Sequence, residues 1–189
     1  MWIFGYGSLI WKADFPFETK AVGHVKGFER KFYQHSTYHR GTPEKPGRVV
    51  TLVPSSPESQ VWGVAYKIRN EDVEKVVNQL DYREKGGYKR MQVVFYPKMI
   101  QAKPFQITIY VGATDNLNYA GEADEDSIAT QIVNSSGPSG TNAEYVYNLA
   151  KAMRTIAPQV PDEHLFSIEE KVRNLMNISD SQDIKSILN

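Results

Sequence analysis

The segment that decides the fold is Val61-Trp62-Gly63-Val64-Ala65-Tyr66-Lys67-Ile68. Large apolar or aromatic side chains occupy its even-numbered positions, opposite the small residues Gly63 and Ala65. Because successive side chains of a strand point to opposite faces of a sheet, this alternation predicts a strand with one buried face.

Other segments rich in valine, isoleucine and aromatic residues predict strands at 2–6, 21–35, 48–53, 88–96 and 105–111. Helical spacing of apolar residues predicts helices at 71–81, 124–135, 142–156 and 162–175. Asn70 is a candidate N-cap for the first helix, and Thr141 with Glu144 forms a capping box before the third. Strands come first and most helices later, so the predicted fold class is α+β, with a mostly antiparallel sheet. Six strands could close into a small barrel with flanking helices.

The length of 189 residues predicts a single domain, placed at 1–176, followed by a loose polar C-terminal tail at 177–189. The chain carries 22 lysine and arginine residues and 22 aspartate and glutamate residues, so its formal net charge is zero. No overall field draws such a chain to nucleic acid or to anionic lipid. The predicted partner is therefore a small molecule, with no nucleic acid and no membrane.

The absence of cysteine excludes disulfides, a thiolate nucleophile and cysteine-ligated metals. The four histidines show no metal-binding spacing, so no metal is expected. The uncharged stretch at 2–11 has no basic leader and is shorter than the roughly 20 apolar residues that a membrane span needs. These features favour a cytoplasmic protein.

The first candidate site is the motif Gly5-Tyr6-Gly7-Ser8-Leu9, directly after a short apolar strand. Two glycines allow backbone N–H groups to converge on an anion or an oxyanion. The motif is not a dinucleotide-binding fingerprint, because Ile10 stands where a third glycine is needed. It is not a nucleophile elbow either, because the glycines do not flank Ser8 at the required spacing. A simple tight turn remains the alternative.

The second candidate is Glu84, in a glycine-containing connection between a predicted helix and a predicted strand. A carboxyl group in an apolar pocket has a raised pKa and can carry a proton at neutral pH. The alternative is a solvated loop carboxylate.

Two further segments offer candidate contacts for a substrate carboxylate. Residues 136–141 precede a capped helix, whose N-terminus could hold an anion; alternatively they form a helix–helix turn with Gly137 as C-cap. Residues 39–48 could form a lid in which Arg40 or Arg48 receives a carboxylate, or an exposed turn with surface arginines.

Taken together, these segments resemble the ChaC family of glutathione-specific γ-glutamylcyclotransferases, from Met1 to about Leu175. The residues that carry the resemblance are Trp2-Ile3-Phe4-Gly5-Tyr6-Gly7-Ser8-Leu9-Ile10-Trp11, His39-Arg40-Gly41-Thr42-Pro43, Pro46-Gly47-Arg48-Val49-Val50-Thr51-Leu52, Trp62-Gly63-Val64-Ala65-Tyr66, Leu80-Asp81-Tyr82-Arg83-Glu84-Lys85-Gly86-Gly87-Tyr88, Phe95-Tyr96-Pro97-Lys98 and Ser136-Gly137-Pro138-Ser139-Gly140. Several motifs in the right order are more specific than any one of them.

The resemblance implies a small β-barrel enzyme without a cofactor, which converts glutathione to 5-oxoproline and cysteinylglycine. It implies that Glu84 is the catalytic acid/base and that the substrate lies against the glycine loop, here Gly5, Tyr6, Gly7, Ser8, Leu9 and Ile10. Arg40 and Tyr145 are further candidate substrate contacts. Tyr145 shares a helical stripe with Leu149 and Met153, so it could instead be a core aromatic residue.

Two other functions remain open from the sequence. One is a cyclotransferase that acts on other γ-glutamyl amines. The other is a non-catalytic binding or regulatory protein with the same fold.

Overall fold

A computed structural model describes residues 1–83 and 88–187, with the side chains of all of these except 82, 83 and 179–187. Its principal strands are β1 (Trp2–Gly5), β2 (Thr19–Lys26), β3 (Phe28–Ser36), β4 (Gly47–Pro54), β5 (Gln60–Lys67), β6 (Tyr88–Pro97) and β7 (Phe105–Gly112). Two-residue strands β8 (Ser136–Gly137) and β9 (Gly140–Thr141) form a small ribbon.

Five strands form a closed barrel in the order β1-β5-β2-β6-β7. The pairing is antiparallel except where β1 meets β7 in parallel and closes the barrel. The alternating segment at 61–68 forms most of β5, which pairs with both β1 and β2. The predicted α+β class and the mostly antiparallel barrel with flanking helices are confirmed.

The barrel has five strands rather than the six that were expected to close it. The predicted strand at 21–35 is two strands, β2 and β3, separated by Gly27. Gly27 has a φ of +84°, a conformation that residues with a Cβ atom rarely adopt, and it turns the chain out of the barrel. Strand β3 then pairs with β4 in a separate two-stranded sheet.

The helices are α1 (Val73–Arg83), α2 (Glu125–Val133), α3 (Asn142–Ile156) and α4 (Glu163–Ile187). The expectation that Asn70 is the N-cap was wrong. Asn70 is the first residue of a short 3-10 turn, Asn70–Asp72, whose N-cap is Arg69, and this turn leads into α1. The side chain of Thr141 caps α3 by accepting from the backbone N–H of Glu144, as the sequence predicted.

Helix α4 is longer than the predicted helix at 162–175, because its backbone continues to Ile187. The domain boundary at 176 and the tail at 177–189 stay predictions. Across the part of the chain that the structure describes, no helix combines the length and the apolar character that crossing a bilayer requires.

Two groups of buried side chains hold these elements together. The larger group joins the barrel, the β3–β4 sheet and helices α2, α3 and α4, and it includes Phe4, Phe32 and Leu149. The smaller group packs α1 against the barrel and includes Leu80 and Tyr110. Strand β1 contributes to both groups, so the turn that follows β1 is anchored from two sides.

Candidate active site around the glycine turn

The glycine motif forms a tight turn at the end of β1. The strand ends at Gly5, and Ser8–Ile10 is one turn of 3-10 helix. The N–H of Ile10 donates to the carbonyl oxygen of Gly7 at 3.0 Å. The N–H groups of Gly7 and Leu9 have no acceptor among the residues that the structure describes. Two backbone donors are thus available to a ligand at this turn.

The second glycine of the motif lies directly against another candidate residue. A Cβ atom on Gly7 would lie 3.0 Å from the hydroxyl oxygen of Tyr145 and 3.1 Å from Cγ2 of Val50. Both distances are shorter than an ordinary van der Waals contact. Glycine at this position therefore lets the backbone approach the Tyr145 hydroxyl.

Tyr145 lies in the first half of α3 and is 5% exposed. Its hydroxyl oxygen accepts a hydrogen bond from the N–H of Val50 at 3.4 Å, and its ring meets that of Trp11 edge-on with centroids 5.5 Å apart. The ring of Tyr145 packs in the core, and its hydroxyl group lies at the glycine turn. The two sequence interpretations of Tyr145 are therefore compatible.

Arg40 lies next to Tyr145 and is also buried. Its guanidinium carbon is 5.9 Å from the centroid of the Tyr145 ring. Its Nη1 donates to the carbonyl oxygen of Thr141 and to Oε2 of Glu144, both at 3.0 Å. The structure thus brings Arg40 and Tyr145 together, with part of the guanidinium group already bonded to the start of α3.

Arg48 departs from one of its two sequence interpretations, and its contact with a substrate carboxylate stays a prediction. It is buried rather than a surface arginine. Its guanidinium group donates to the side chain of Gln131 and to the carbonyl oxygens of Phe32 and Gly121. Burial lowers the pKa of Arg48. Through these bonds the guanidinium group connects β4 with β3, with α2 and with the loop at Gly121.

The segment at 136–141 is the ribbon of β8 and β9 rather than a plain helix–helix turn. The C-cap of α2 is Asn134, so the expectation that Gly137 caps this helix was wrong. The ribbon packs on the loop at 39–41: the N–H of Ser139 donates to the carbonyl oxygen of His39 at 3.0 Å. A Cβ atom on Gly137 would lie 2.5 Å from the same oxygen. The two candidate carboxylate-binding segments therefore contact each other.

Two tyrosine hydroxyls support the glycine turn, and only one of them, that of Tyr6, belongs to a residue predicted for the site. The hydroxyl of Tyr66, on β5, donates to the carbonyl oxygen of Leu9 at 2.7 Å. Burial raises the pKa of Tyr66 to about 12, so this hydroxyl remains a donor at neutral pH. The hydroxyl of Tyr6 donates to the carbonyl oxygen of Tyr110 at 2.6 Å. Tyr66 belongs to the alternating pattern of β5, but that pattern gives no information on which loop its hydroxyl reaches.

The predicted proton carrier, Glu84, lies outside the described residues, directly after the end of α1 in the chain. Among the residues that are described, no group of three or more histidine, aspartate or glutamate side chains is placed to hold a metal ion.

A surface groove of about 600 Å³ lies between the loop around Pro46 and α2. Three of its lining residues belong to the segment 39–48 that was predicted as a lid, but none is Arg40, Arg48 or another individually predicted site residue. The lining residues are Glu44, Lys45, Pro46, Asp126, Ser127, Thr130, Gln131, Asn134 and Ser135.

Residues 1–175 match the family model described as ChaC-like protein. The chain is 45% identical over 181 residues to the glutathione-specific gamma-glutamylcyclotransferase 1 of Rattus norvegicus, covering 95% of this chain and 81% of that protein. It is 40% identical over 190 residues to the gamma-glutamylcyclotransferase 2-3 of Arabidopsis thaliana, covering 97% of this chain and 94% of that protein.

The fold is similar to that of a solved yeast protein, described as a gamma-glutamyl cyclotransferase specific to glutathione. The TM-score is 0.84 at 29% sequence identity, covering 92% of this chain and 96% of the yeast chain. The motifs, the barrel and these matches extend over the same part of the sequence. The chain belongs to the ChaC-like protein family.

Proposed function

We propose that this protein is a glutathione-specific γ-glutamylcyclotransferase. The observation that carries the proposal is the 45% identity, over 95% of the chain, to a rat protein of that name. The matched region contains both the glycine turn and Glu84. The barrel and its flanking helices agree with this assignment, because the yeast protein of similar fold is described as specific to glutathione.

The proposed reaction is an intramolecular cyclisation. The α-amine of the γ-glutamyl group attacks its own γ-carbonyl carbon, and a new C–N bond closes a five-membered ring. The amide bond to the cysteine nitrogen then breaks, which releases 5-oxoproline and cysteinylglycine. Because the substrate supplies its own nucleophile, the protein mainly has to hold a bent conformer in which the amine reaches the carbonyl.

Glu84 is proposed to move the proton. The α-amine is mostly an ammonium group at neutral pH and has to lose a proton before it attacks. Glu84 would accept that proton and return it to the departing cysteine nitrogen. The ring nitrogen loses a second proton as the ring closes, and the departing amine takes this one up as well, so cysteinylglycine leaves as an ammonium group and no net proton is gained or lost. General acid–base catalysis of this kind typically contributes about 10²- to 10⁴-fold to the rate.

The glycine turn is proposed to bind the charged or developing anionic part of the substrate. The N–H groups of Gly7 and Leu9 have no acceptor within the described chain, which suits them to a carboxylate or to the oxyanion that forms at the attacked carbonyl. Loss of one oxyanion donor typically costs about 3 kcal/mol of transition-state stabilisation.

Gly5, Tyr6, Ser8 and Ile10 are proposed to complete the loop against which the substrate lies. The Tyr145 hydroxyl, next to Gly7, is proposed to contact the substrate directly. Arg40 is proposed to attract a substrate carboxylate with the N–H groups that Thr141 and Glu144 leave unused.

A second candidate is a cyclotransferase that acts on other γ-glutamyl amines. The name of the Arabidopsis relative, at 40% identity, does not include glutathione. Both candidates share the cyclisation chemistry and differ in what the site accepts beyond the γ-glutamyl group.

The test is to incubate the purified protein with reduced glutathione and to quantify 5-oxoproline, cysteinylglycine and glutamate. We expect 5-oxoproline and cysteinylglycine in equal amounts, without glutamate. Parallel reactions with γ-glutamyl amino acids would measure specificity, and we expect a much lower kcat/KM for them. Release of glutamate would indicate hydrolysis, and absence of any product would support a non-catalytic protein; either result would overturn the proposal.

A further inference from the structure

We infer that Tyr110 is a positioning residue that links the glycine turn to the end of the helix preceding Glu84. This inference rests on the proposed function, because it concerns how the parts of the same site are aligned. Tyr110 lies on β7 and is buried. No sequence motif pointed to it.

The first link runs from Tyr110 to the glycine motif. The backbone carbonyl oxygen of Tyr110 accepts a 2.6 Å hydrogen bond from the hydroxyl of Tyr6. This bond is buried and joins residues 104 positions apart in the chain. Tyr6 separates the two glycines of the motif, so the bond fixes the start of the turn relative to β7.

The second link runs from the Tyr110 side chain to α1. Its hydroxyl donates to Oδ1 of Asp81 at 2.9 Å. Arg90 lies directly opposite Tyr110 on β6, and its Nε is 3.7 Å from the same carboxylate oxygen. The neighbouring strands β6 and β7 therefore both contact Asp81, in the last turn of α1.

The two links place Tyr110 between the glycine turn and the last turn of α1. Asp81 is three residues before Glu84 in the chain, and α1 ends at Arg83. Cyclisation needs the proton carrier and the bound substrate to be aligned, and a misplacement of about 1 Å can cost up to roughly 100-fold in rate. The Tyr110–Asp81 hydrogen bond aligns the end of α1 with the strand that also holds Tyr6.

The experiment compares steady-state glutathione turnover and melting temperature in four variants. Tyr110→Phe removes the hydroxyl but keeps the carbonyl oxygen that accepts from Tyr6. Asp81→Ala removes the acceptor, Asp81→Asn keeps an acceptor oxygen without the charge, and Tyr147→Phe is a control for loss of a tyrosine hydroxyl elsewhere. Tyr147 is half-buried on α3, and its ring packs against Arg173.

We expect Tyr110→Phe and Asp81→Ala each to lower kcat about 10-fold or more, with KM changed less than about twofold. The double variant Tyr110→Phe/Asp81→Ala should be no slower than the slower single variant, because both changes remove the same bond. Asp81→Asn and Tyr147→Phe should keep kcat within about twofold of the unmodified protein.

Several results would overturn the inference. These are a normal kcat for Tyr110→Phe, additive losses in the double variant, or an Asp81→Asn variant as slow as Asp81→Ala. A lower melting temperature with unchanged kcat would also do so, because it would show a structural role alone. If the unmodified protein released no 5-oxoproline from glutathione, the proposed function itself would be wrong, which distinguishes the two failures.

Discussion

At the scale of single residues, the Tyr145 hydroxyl lies so near the backbone of Gly7 that a Cβ atom on Gly7 would be 3.0 Å from its oxygen. The glycine motif is apparent from the sequence, and so is the helical stripe that contains Tyr145. Their contact is not, because it joins residues 138 positions apart (145 minus 7) through the packing of α3 against the turn after β1. Sequence patterns give the residue types of this site and leave their distances open.

Replacement of Gly7 by alanine tests this approach. The added Cβ would lie 3.0 Å from the Tyr145 oxygen, so the turn or the tyrosine has to shift, and we expect kcat/KM for glutathione to fall about 10-fold or more. Gly27→Ala is the matched control, since its φ is +84° and an added Cβ would meet nothing within 4 Å. That variant should lose about 1 kcal/mol of stability and keep its activity. Equal activity in the two variants would contradict the proposal that the substrate binds at Gly7 and Tyr145.

Tyr145→Phe separates the binding role of the hydroxyl from the packing role of the ring. We expect KM for glutathione to rise, because a substrate contact is lost. Stability should fall by about 1 kcal/mol, since the N–H of Val50 loses its acceptor. Tyr147→Phe, on the same helix, should leave KM unchanged. A lower melting temperature with an unaltered KM would show that Tyr145 is only a core residue.

At the scale of elements, the start of α3 is fixed to β4 by a side chain that imitates strand pairing. Asn142 is completely buried; its Oδ1 accepts from the N–H of Arg48 at 2.6 Å, and its Nδ2 donates to the carbonyl oxygen of Arg48 at 2.8 Å. Three residues later, Tyr145 accepts from Val50 on the same strand. Both contacts orient the first turn of α3 toward the glycine turn.

Asn142→Ala removes both bonds and leaves two buried backbone groups of Arg48 without these partners. We expect a loss of about 3 kcal/mol in the free energy of unfolding, measured by urea denaturation. Thr141→Ala, which removes only the adjacent N-cap, should cost about 1 kcal/mol. The account of α3 would fail if Asn142→Ala were no more destabilising than Thr141→Ala.

The elements also show where sequence patterns are sufficient. The caps and apolar spacing of α3 predicted its bounds, because short-range contacts determine a helix start. The segment at 21–35 has valine residues before Gly27 and aromatic residues after it, and its division there depends on a backbone conformation that composition does not report. For the same reason, the sequence did not reveal that β3 and β4 leave the barrel. Strand pairing is set by contacts between segments that are distant in the chain.

At the scale of the whole molecule, three partly or largely buried histidines make stability depend on pH. Burial lowers the pKa of His24, His35 and His164 from the ordinary value of 6.5. Nearby Lys26, Arg48 and Lys31, respectively, lower these pKa values further, whereas Glu125 partly opposes the shift at His164. The unfolded chain therefore binds more protons than the folded chain as the pH falls below 6.5.

We expect the free energy of unfolding to be constant with respect to these groups above about pH 7 and to fall as the pH decreases from 6.5 toward 5. His164 contributes through a specific bond, because its Nε2 accepts from the N–H of Phe32 and a protonated ring cannot accept. His164→Gln should therefore reduce the slope of stability against pH in this window, as measured by urea denaturation at several pH values. An unchanged or steeper slope would show that protonation of His164 does not contribute to the pH dependence of stability.

The central claim for the molecule is that Glu84 moves the proton while the γ-glutamyl group cyclises on the glycine turn. The most direct measurement is the rate of 5-oxoproline release from glutathione by Glu84→Gln beside the unmodified protein at equal concentration. Glutamine keeps the size of the side chain but cannot accept the ammonium proton, so we expect a fall in kcat of about 10² or more, with the fold retained. A Glu84→Gln variant that released 5-oxoproline at close to the unmodified rate would contradict the account.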